Sequence, residues 1–152
     1  MRLKALVVNM AIPLAVGALA GVLTMGAMEE YKSVAKPELS PPEIVFPIVW
    51  TVLFILMGVS SYLVFVSESG ERKKALSIYG VQLFVNFFWP LIYFNAGLYY
   101  VAFAWIIALI ILAAVMLWRF FRVKRAAGFL NLPYMAWLLF AAYLNIGTAM
   151  LN

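Results

Sequence analysis

Three sets of side chains recur at helical spacing and carry the mixture of flat rings and neutral polar groups that suits an apolar ligand with a few polar edges. Trp50, Phe54, Met57 and Ser61 fall at i, i+4, i+7 and i+11, within about 40 degrees of one helix face. Gln82, Asn86, Trp89 and Tyr93 repeat that spacing, and Tyr134, Trp137, Ala141, Asn145 and Thr148 approximate it, with Ala141 leaving a gap between larger groups. Indole and phenyl rings supply contact area and orientation, while a few amides and hydroxyls fix a polar edge. The same residue types also bind membrane helices to one another, so the spacing leaves packing and pocket both open.

Conventional catalysis has no material here. The chain contains no His, Cys or Asp, and its six carboxylates are all Glu at or beyond the ends of apolar stretches. Ser-His-Asp and Cys-His nucleophiles cannot be assembled, and thiolate or imidazole metal and haem ligands are missing. No apolar stretch carries a central ionisable residue, which argues against a proton-coupled pump or drug antiporter.

The elements that position these residues follow from composition. Two thirds of the residues are hydrophobic (67%) and only 11% are charged, and the charges cluster between long apolar runs, the pattern of a multi-pass membrane protein. Five runs approach the roughly 20 residues needed to cross hydrocarbon: 5–28, 44–66, 75–94, 98–118 and 129–151. Backbone groups in lipid must be satisfied within each segment, and no alternating pattern supports a barrel. The expected fold is all-α, a five-transmembrane-helix bundle forming one membrane domain over 1–152, with an exterior loop at 29–43.

Charge distribution orients the bundle. Arg2 and Lys4, then Arg72, Lys73 and Lys74, then Arg119, Arg122, Lys124 and Arg125 all belong to one side; the other has only Lys32 and Lys36 beside Glu29, Glu30, Glu38 and Glu43. The excess of basic residues on cytoplasmic loops puts the N-terminus in the cytoplasm and Asn152 outside, in a bacterial cell membrane or an equivalent one. The net charge of +5 then reflects topology and anionic lipid, with no nucleic-acid partner. The apolar run from Ala5 to Met28 is longer than the core of a cleaved signal peptide, so it reads as a retained span despite Ala18-Leu19-Ala20.

Three local features add to this frame. Lys36-Pro37-Glu38-Leu39-Ser40-Pro41-Pro42 cannot be helical, because each proline fixes φ and biases its predecessor toward extended geometry; it reads as a stiff lid or as a simple helix break. Gly17 and Gly21 form a Gly-xxx-Gly pattern that admits close approach by another helix or by a second protomer. Trp118 beside Arg119 reads as an interfacial anchor, and Arg119 to Val123 fits a weak inverted cholesterol pattern.

With lid and seams together, the chain resembles the translocator protein family, the tryptophan-rich sensory proteins once called peripheral-type benzodiazepine receptors. The residues that carry the resemblance span nearly the whole chain: Lys36-Pro37 then Pro41-Pro42, Phe46 to Trp50-Thr51-Val52-Leu53, Gly80-Val81-Gln82-Leu83 to Asn86 and Trp89-Pro90, and Leu132-Pro133-Tyr134 to Trp137, Phe140-Ala141 and Leu144-Asn145. The resemblance implies a five-helix bundle, often a homodimer, with a pocket beneath the first loop for porphyrins, isoquinoline-type ligands and, in some members, sterols. It assigns Tyr31, Pro41, Trp50, Asn86, Trp89, Trp137 and Ala141 to that pocket, and the seams add Phe54 and Asn145. Some bacterial relatives convert protoporphyrin IX photochemically, which would make Trp50 and Trp137 the reacting indoles.

Two departures narrow these expectations. Glu30 and Leu39 stand where relatives commonly have tryptophan, so the lid is less aromatic, and no basic residue follows Tyr143 to complete a sterol motif. The expected function is a membrane receptor that needs no cofactor and takes a porphyrin, protoporphyrin IX or a haem-like tetrapyrrole, between Trp50 and Trp137. Asn86 would meet a polar edge, and Lys32 and Lys36 would meet the propionates. Light-dependent degradation of protoporphyrin IX and transport of tetrapyrroles or sterols are the alternatives.

Overall fold

A computed structural model describes residues 2–152. Seven α-helices build five spans: α1 (Leu3–Thr24) with α2 (Met28–Tyr31), α3 (Val45–Phe65), α4 (Arg72–Pro90), α5 (Tyr99–Val123), and α6 (Arg125–Leu130) with α7 (Leu132–Leu151). All five are long and apolar enough to cross a bilayer, and the described residues contain no strand. The chain is thus an all-α, multi-pass integral membrane protein.

The helices outrun the expected spans in ways that have physical causes. A 3-10 turn at Met25–Ala27 links α1 to α2, so the first span runs to Tyr31 and residues 29–31 are helical, not loop. α5 continues past Trp118 to Val123 because its basic end can reach polar surroundings while its stems stay on the helix. The Arg119 and Arg122 guanidinium groups sit 5.5 and 4.9 Å from the Trp118 ring, and Trp118 is exposed. Lys124 is extended (φ −154°, ψ 117°), which ends α5 and lets α6 return toward α7. Pro133 lies in the first turn of α7, where its missing N–H costs nothing.

Packing runs around the bundle, with α1 against α3, α4 against α5, and α5 against α7, while α6 wedges between α3 and α5. A Cβ on Gly58 would lie 2.7 Å from the Met10 Cα, so this glycine sets the close approach of α1 and α3. Several buried polar groups bond across the spans, although the Tyr79 hydroxyl, Gln82 Nε2, Asn131 Oδ1 and the Trp137 indole N–H have no partner among the described residues. Asn131 donates to the Ser60 hydroxyl and to the Ala127 carbonyl, and Ser60 also donates to Ala127, tying α3 to the α6–α7 junction. Such bonds average below about 1 kcal/mol each in membrane proteins, but leaving the groups bare in hydrocarbon costs more.

At the opposite end the proline-rich loop is non-helical, as its sequence requires. A turn closes it, with the Ser40 N–H donating to the Pro37 carbonyl at 3.1 Å. The loop is clipped to the end of α7: the Asn152 amide donates to Ala35 O at 2.8 Å and its Oδ1 accepts from Ala35 N at 3.3 Å. Pro37 occupies the notch over Gly147, where an added Cβ would fall 2.3 Å from the proline Cγ.

Candidate functional site: an aromatic cavity between α1, α3 and α4

A cavity of about 900 Å³ opens between α1, α3 and α4 near the end that carries the proline-rich loop. Its existence starts with small residues. α1 contributes Gly17, Ala18, Ala20 and Gly21 to the wall between Leu14 and Thr24, so the middle of that side is close to bare backbone. Gly17 faces the Phe54 ring, and a Cβ there would lie 2.5 Å from it. The Gly-xxx-Gly pattern therefore serves a contact within the chain at Gly17 and open space at Gly21, which has no neighbour within 4 Å of an added Cβ.

α3 supplies the flat wall. Trp50 and Phe54 both line the cavity, and their rings stack at 5.5 Å with an interplanar angle of 27°. Trp50 also meets Tyr134 edge-on at 6.3 Å. α4 supplies Asn86 and Trp89, both buried. Asn86 Nδ2 donates to the Tyr134 hydroxyl at 2.8 Å, and that hydroxyl donates to Gln82 Oε1 at 2.7 Å. The amide is thereby oriented, while its Oδ1 enters no hydrogen bond among the described residues. Trp89 is held from behind, its indole N–H donating to Asn145 Oδ1 at 3.0 Å and its ring stacking on Tyr93 at 5.0 Å and 16°. Asn145 in turn donates to Tyr99 O at 2.7 Å.

Tyr31 closes the end near the loop. Its ring is buried under the Lys36 ammonium, 4.6 Å from the centroid. Its hydroxyl lies 2.8 Å from that of Tyr93, and since Tyr93 donates to Thr148 at 3.0 Å, Tyr31 is the donor. α4 reaches this position through Pro90 and a π turn at Leu91–Asn95. Proline cannot donate to the preceding turn, and a π turn shifts the register so that Tyr93 points inward.

The sequence-derived residues divide into two groups. Tyr31, Trp50, Phe54, Asn86 and Trp89 share the cavity wall. Trp137, Ala141, Asn145 and Pro41 do not. Trp137 lies about 60 degrees from Tyr134 around α7, and the buried face of that helix instead runs Tyr134, Leu138, Ala141, Asn145, Thr148. Its ring packs edge-on to Phe46 at 5.9 Å and borders a separate shallow groove between α3 and α7 of about 460 Å³. Trp50 and Trp137 thus line different cavities, where a shared one was expected. Ala141 is buried in the α7 packing face, Asn145 acts behind Trp89, and Pro41 sits in the loop outside the wall. Neither Lys32 nor Lys36 lines the cavity. Lys32 pairs with Glu29 at 3.1 Å, which raises its pKa, and Lys36 donates to the carbonyls of Lys32 and Val34.

Two contributions escape a reading by periodicity. The small face of α1 forms a wall by what it lacks, and Glu43 joins the lining from just before α3, where no helical stripe can point to it. The Gly-xxx-Gly spacing was the available signal for the first; for the second there was none.

Comparison with known proteins agrees with this architecture. The model of the TspO/MBR family matches residues 9–151. The chain is 34% identical over 131 residues to the tryptophan-rich protein TspO of Chlorobaculum tepidum, covering 80% of this chain and 78% of that one. It is 32% identical over 133 residues to the tryptophan-rich sensory protein of Cereibacter sphaeroides, covering 85% and 83%. With the translocator protein of Homo sapiens it shares 36% over 122 residues, covering 76% and 70%. A family match over nearly the whole sequence, five spans and an aromatic cavity at one end of the bundle together establish that the chain belongs to the TspO/MBR family.

Proposed function

We propose that the protein is a membrane receptor for planar hydrophobic ligands, tetrapyrroles foremost, bound in the cavity between α1, α3 and α4. The observation that carries this reading is the wall itself: the Trp50–Phe54 stack and Trp89 offer flat apolar area, and the Asn86 carbonyl oxygen offers one oriented acceptor. A volume of about 900 Å³ falls in the range of small-molecule sites, which pair apolar walls with few placed polar groups. Names of relatives containing "sensory" and "translocator" fit a protein that acts by holding a ligand in the membrane. The basic end, carrying Arg2, Lys73 and Arg122, faces the cytoplasm in this reading.

The test is quenching of tryptophan fluorescence by protoporphyrin IX in neutral detergent. Trp50→Phe is expected to weaken binding about tenfold, a loss of roughly 1.4 kcal/mol, while Trp137→Phe stays within about twofold. Equal affinity in the parent and the Trp50→Phe variant would overturn the assignment.

A photochemical role has one observation in its favour, since the indoles of Trp50 and Trp89 border the same cavity and can donate an electron to an excited porphyrin. Under illumination in air, loss of porphyrin absorption faster than in a protein-free control, and slowed in Trp50→Phe, is the expected result. Equal rates leave a binding protein only.

A further inference from the structure

We infer that Glu43 sets the charge preference of the cavity, which takes planar ligands bearing a cationic or hydrogen-bond-donating group at the loop end and disfavours carboxylates there. The inference rests on the cavity proposed above as the binding site and concerns which ligands it admits.

Glu43 is the one acidic side chain in the cavity lining, which holds no basic one; the rest are apolar residues, Tyr31, Thr24, Thr51 and Asn86. It stands at the loop end, beside Ile44 and Phe46, and is half-buried. Among the described residues it forms no ion pair. The two cations on this side of the bundle are engaged elsewhere: Lys32 with Glu29 at 3.1 Å, and Lys36 with two backbone carbonyls and the face of Tyr31. The loop side of the molecule carries Glu29, Glu30, Glu38 and Glu43 against Lys32 and Lys36, an excess of carboxylates that makes this end of the bundle net negative although Lys32 feels the charge of Glu43 at longer range. Apolar walls focus the resulting field into the cavity, where water screens it less than at an open surface.

A ligand lying against Trp50 with an ammonium or N–H group at the loop end meets an unpaired carboxylate. One with a carboxylate there meets a like charge and no cation among the lining residues. Discrimination then comes as much from rejection of the wrong charge as from attraction of the right one. A tetrapyrrole would enter with neutral or cationic substituents at this end, or with its propionates turned away. The competing role for Glu43 is to favour the nearby N-terminus of α3 electrostatically. That role affects folding and is indifferent to ligand charge, so a matched ligand series separates the two.

The probes are 9-(aminomethyl)anthracene, 9-(hydroxymethyl)anthracene and anthracene-9-carboxylate, which share one ring system and differ in charge. Each is titrated into the full-length protein in uncharged maltoside detergent at fixed salt, with tryptophan-to-anthracene energy transfer as the readout. The parent is expected to bind the amine at least tenfold more tightly than the carboxylate. Glu43→Gln, which keeps the shape, reduces that ratio at least fivefold; Glu43→Lys inverts the preference. An amine-to-carboxylate ratio unchanged between the parent and both variants, with the alcohol still binding, overturns the role of Glu43 and leaves the cavity assignment standing. If none of the three binds, the cavity assignment and the inference fall together.

Discussion

At the residue scale, the cavity depends on side chains that are absent as much as on those present. Trp50, Phe54 and Trp89 define flat surfaces, but the space beside them exists because Gly17 and Gly21 leave α1 without bulk. Gly21 gives the sharper test, since an added Cβ there touches nothing within 4 Å. Gly21→Leu is expected to put its side chain into the cavity and weaken porphyrin quenching about tenfold. The unfolding free energy from a denaturant titration should change by no more than about 0.5 kcal/mol, the usual range for substitutions that disturb no packed neighbour. Unaltered quenching would show that Gly21 faces lipid instead of ligand. Gly17 behaves differently, because its Cβ would strike Phe54, and stability and binding would change together. Asn86 was recognisable as a residue needing a partner in hydrocarbon, whereas its bond to Tyr134 needed the fold to bring α4 and α7 together.

At the element scale, the first loop is held by specific docking in addition to proline stiffness. Prolines account for its refusal to become helix. Its position comes from Pro37 over Gly147, from the Asn152 clip on Ala35, and from the Tyr31–Tyr93–Thr148 hydroxyl chain beneath. Gly147→Ala keeps α7 helical, and alanine is the better helix former, but its Cβ collides with a rigid ring 2.3 Å away. The expected outcome is a displaced loop, seen as several-fold faster proteolysis between Ser33 and Pro42 with helical circular dichroism unchanged. Proteolysis at the parent rate would mean that Pro37 does not hold the loop. α7 also shows where periodicity misled. Including Trp137 in the buried seam required about 60 degrees of tolerance, and Leu138, which is fully buried, occupies the place it was given.

At the scale of the whole molecule, five spans place the chain ends on opposite sides of the bundle, and basic residues gather on one of them. Arg119 on α5 and Glu71 just before α4 meet at 3.4 Å, so the two basic connections are also linked in space. Because the chain contains no cysteine, single cysteines report topology cleanly. Glu38→Cys is expected to react with a membrane-impermeant maleimide added to intact cells, and Lys73→Cys only after permeabilisation. The reverse pattern would invert the orientation drawn from the basic residues.

Sequence alone determined the helical class, the number of spans, the sidedness of charge and the non-helical loop, because each depends on local composition: apolar length, backbone hydrogen bonding in lipid, and the geometry of proline. It also offered Trp50, Phe54, Asn86 and Trp89 as candidates by spacing, and Tyr31 by resemblance, all of which line one cavity. Only the tertiary structure decided which of them share a space. Helix rotation and neighbour choice depend on side-chain fit across elements far apart in the chain, which separated Trp137 from Trp50 and put Asn145 behind Trp89. The same fit made a wall from the glycines of α1 and left Glu43, a residue on no helical stripe, at the cavity mouth with no cation beside it in the lining.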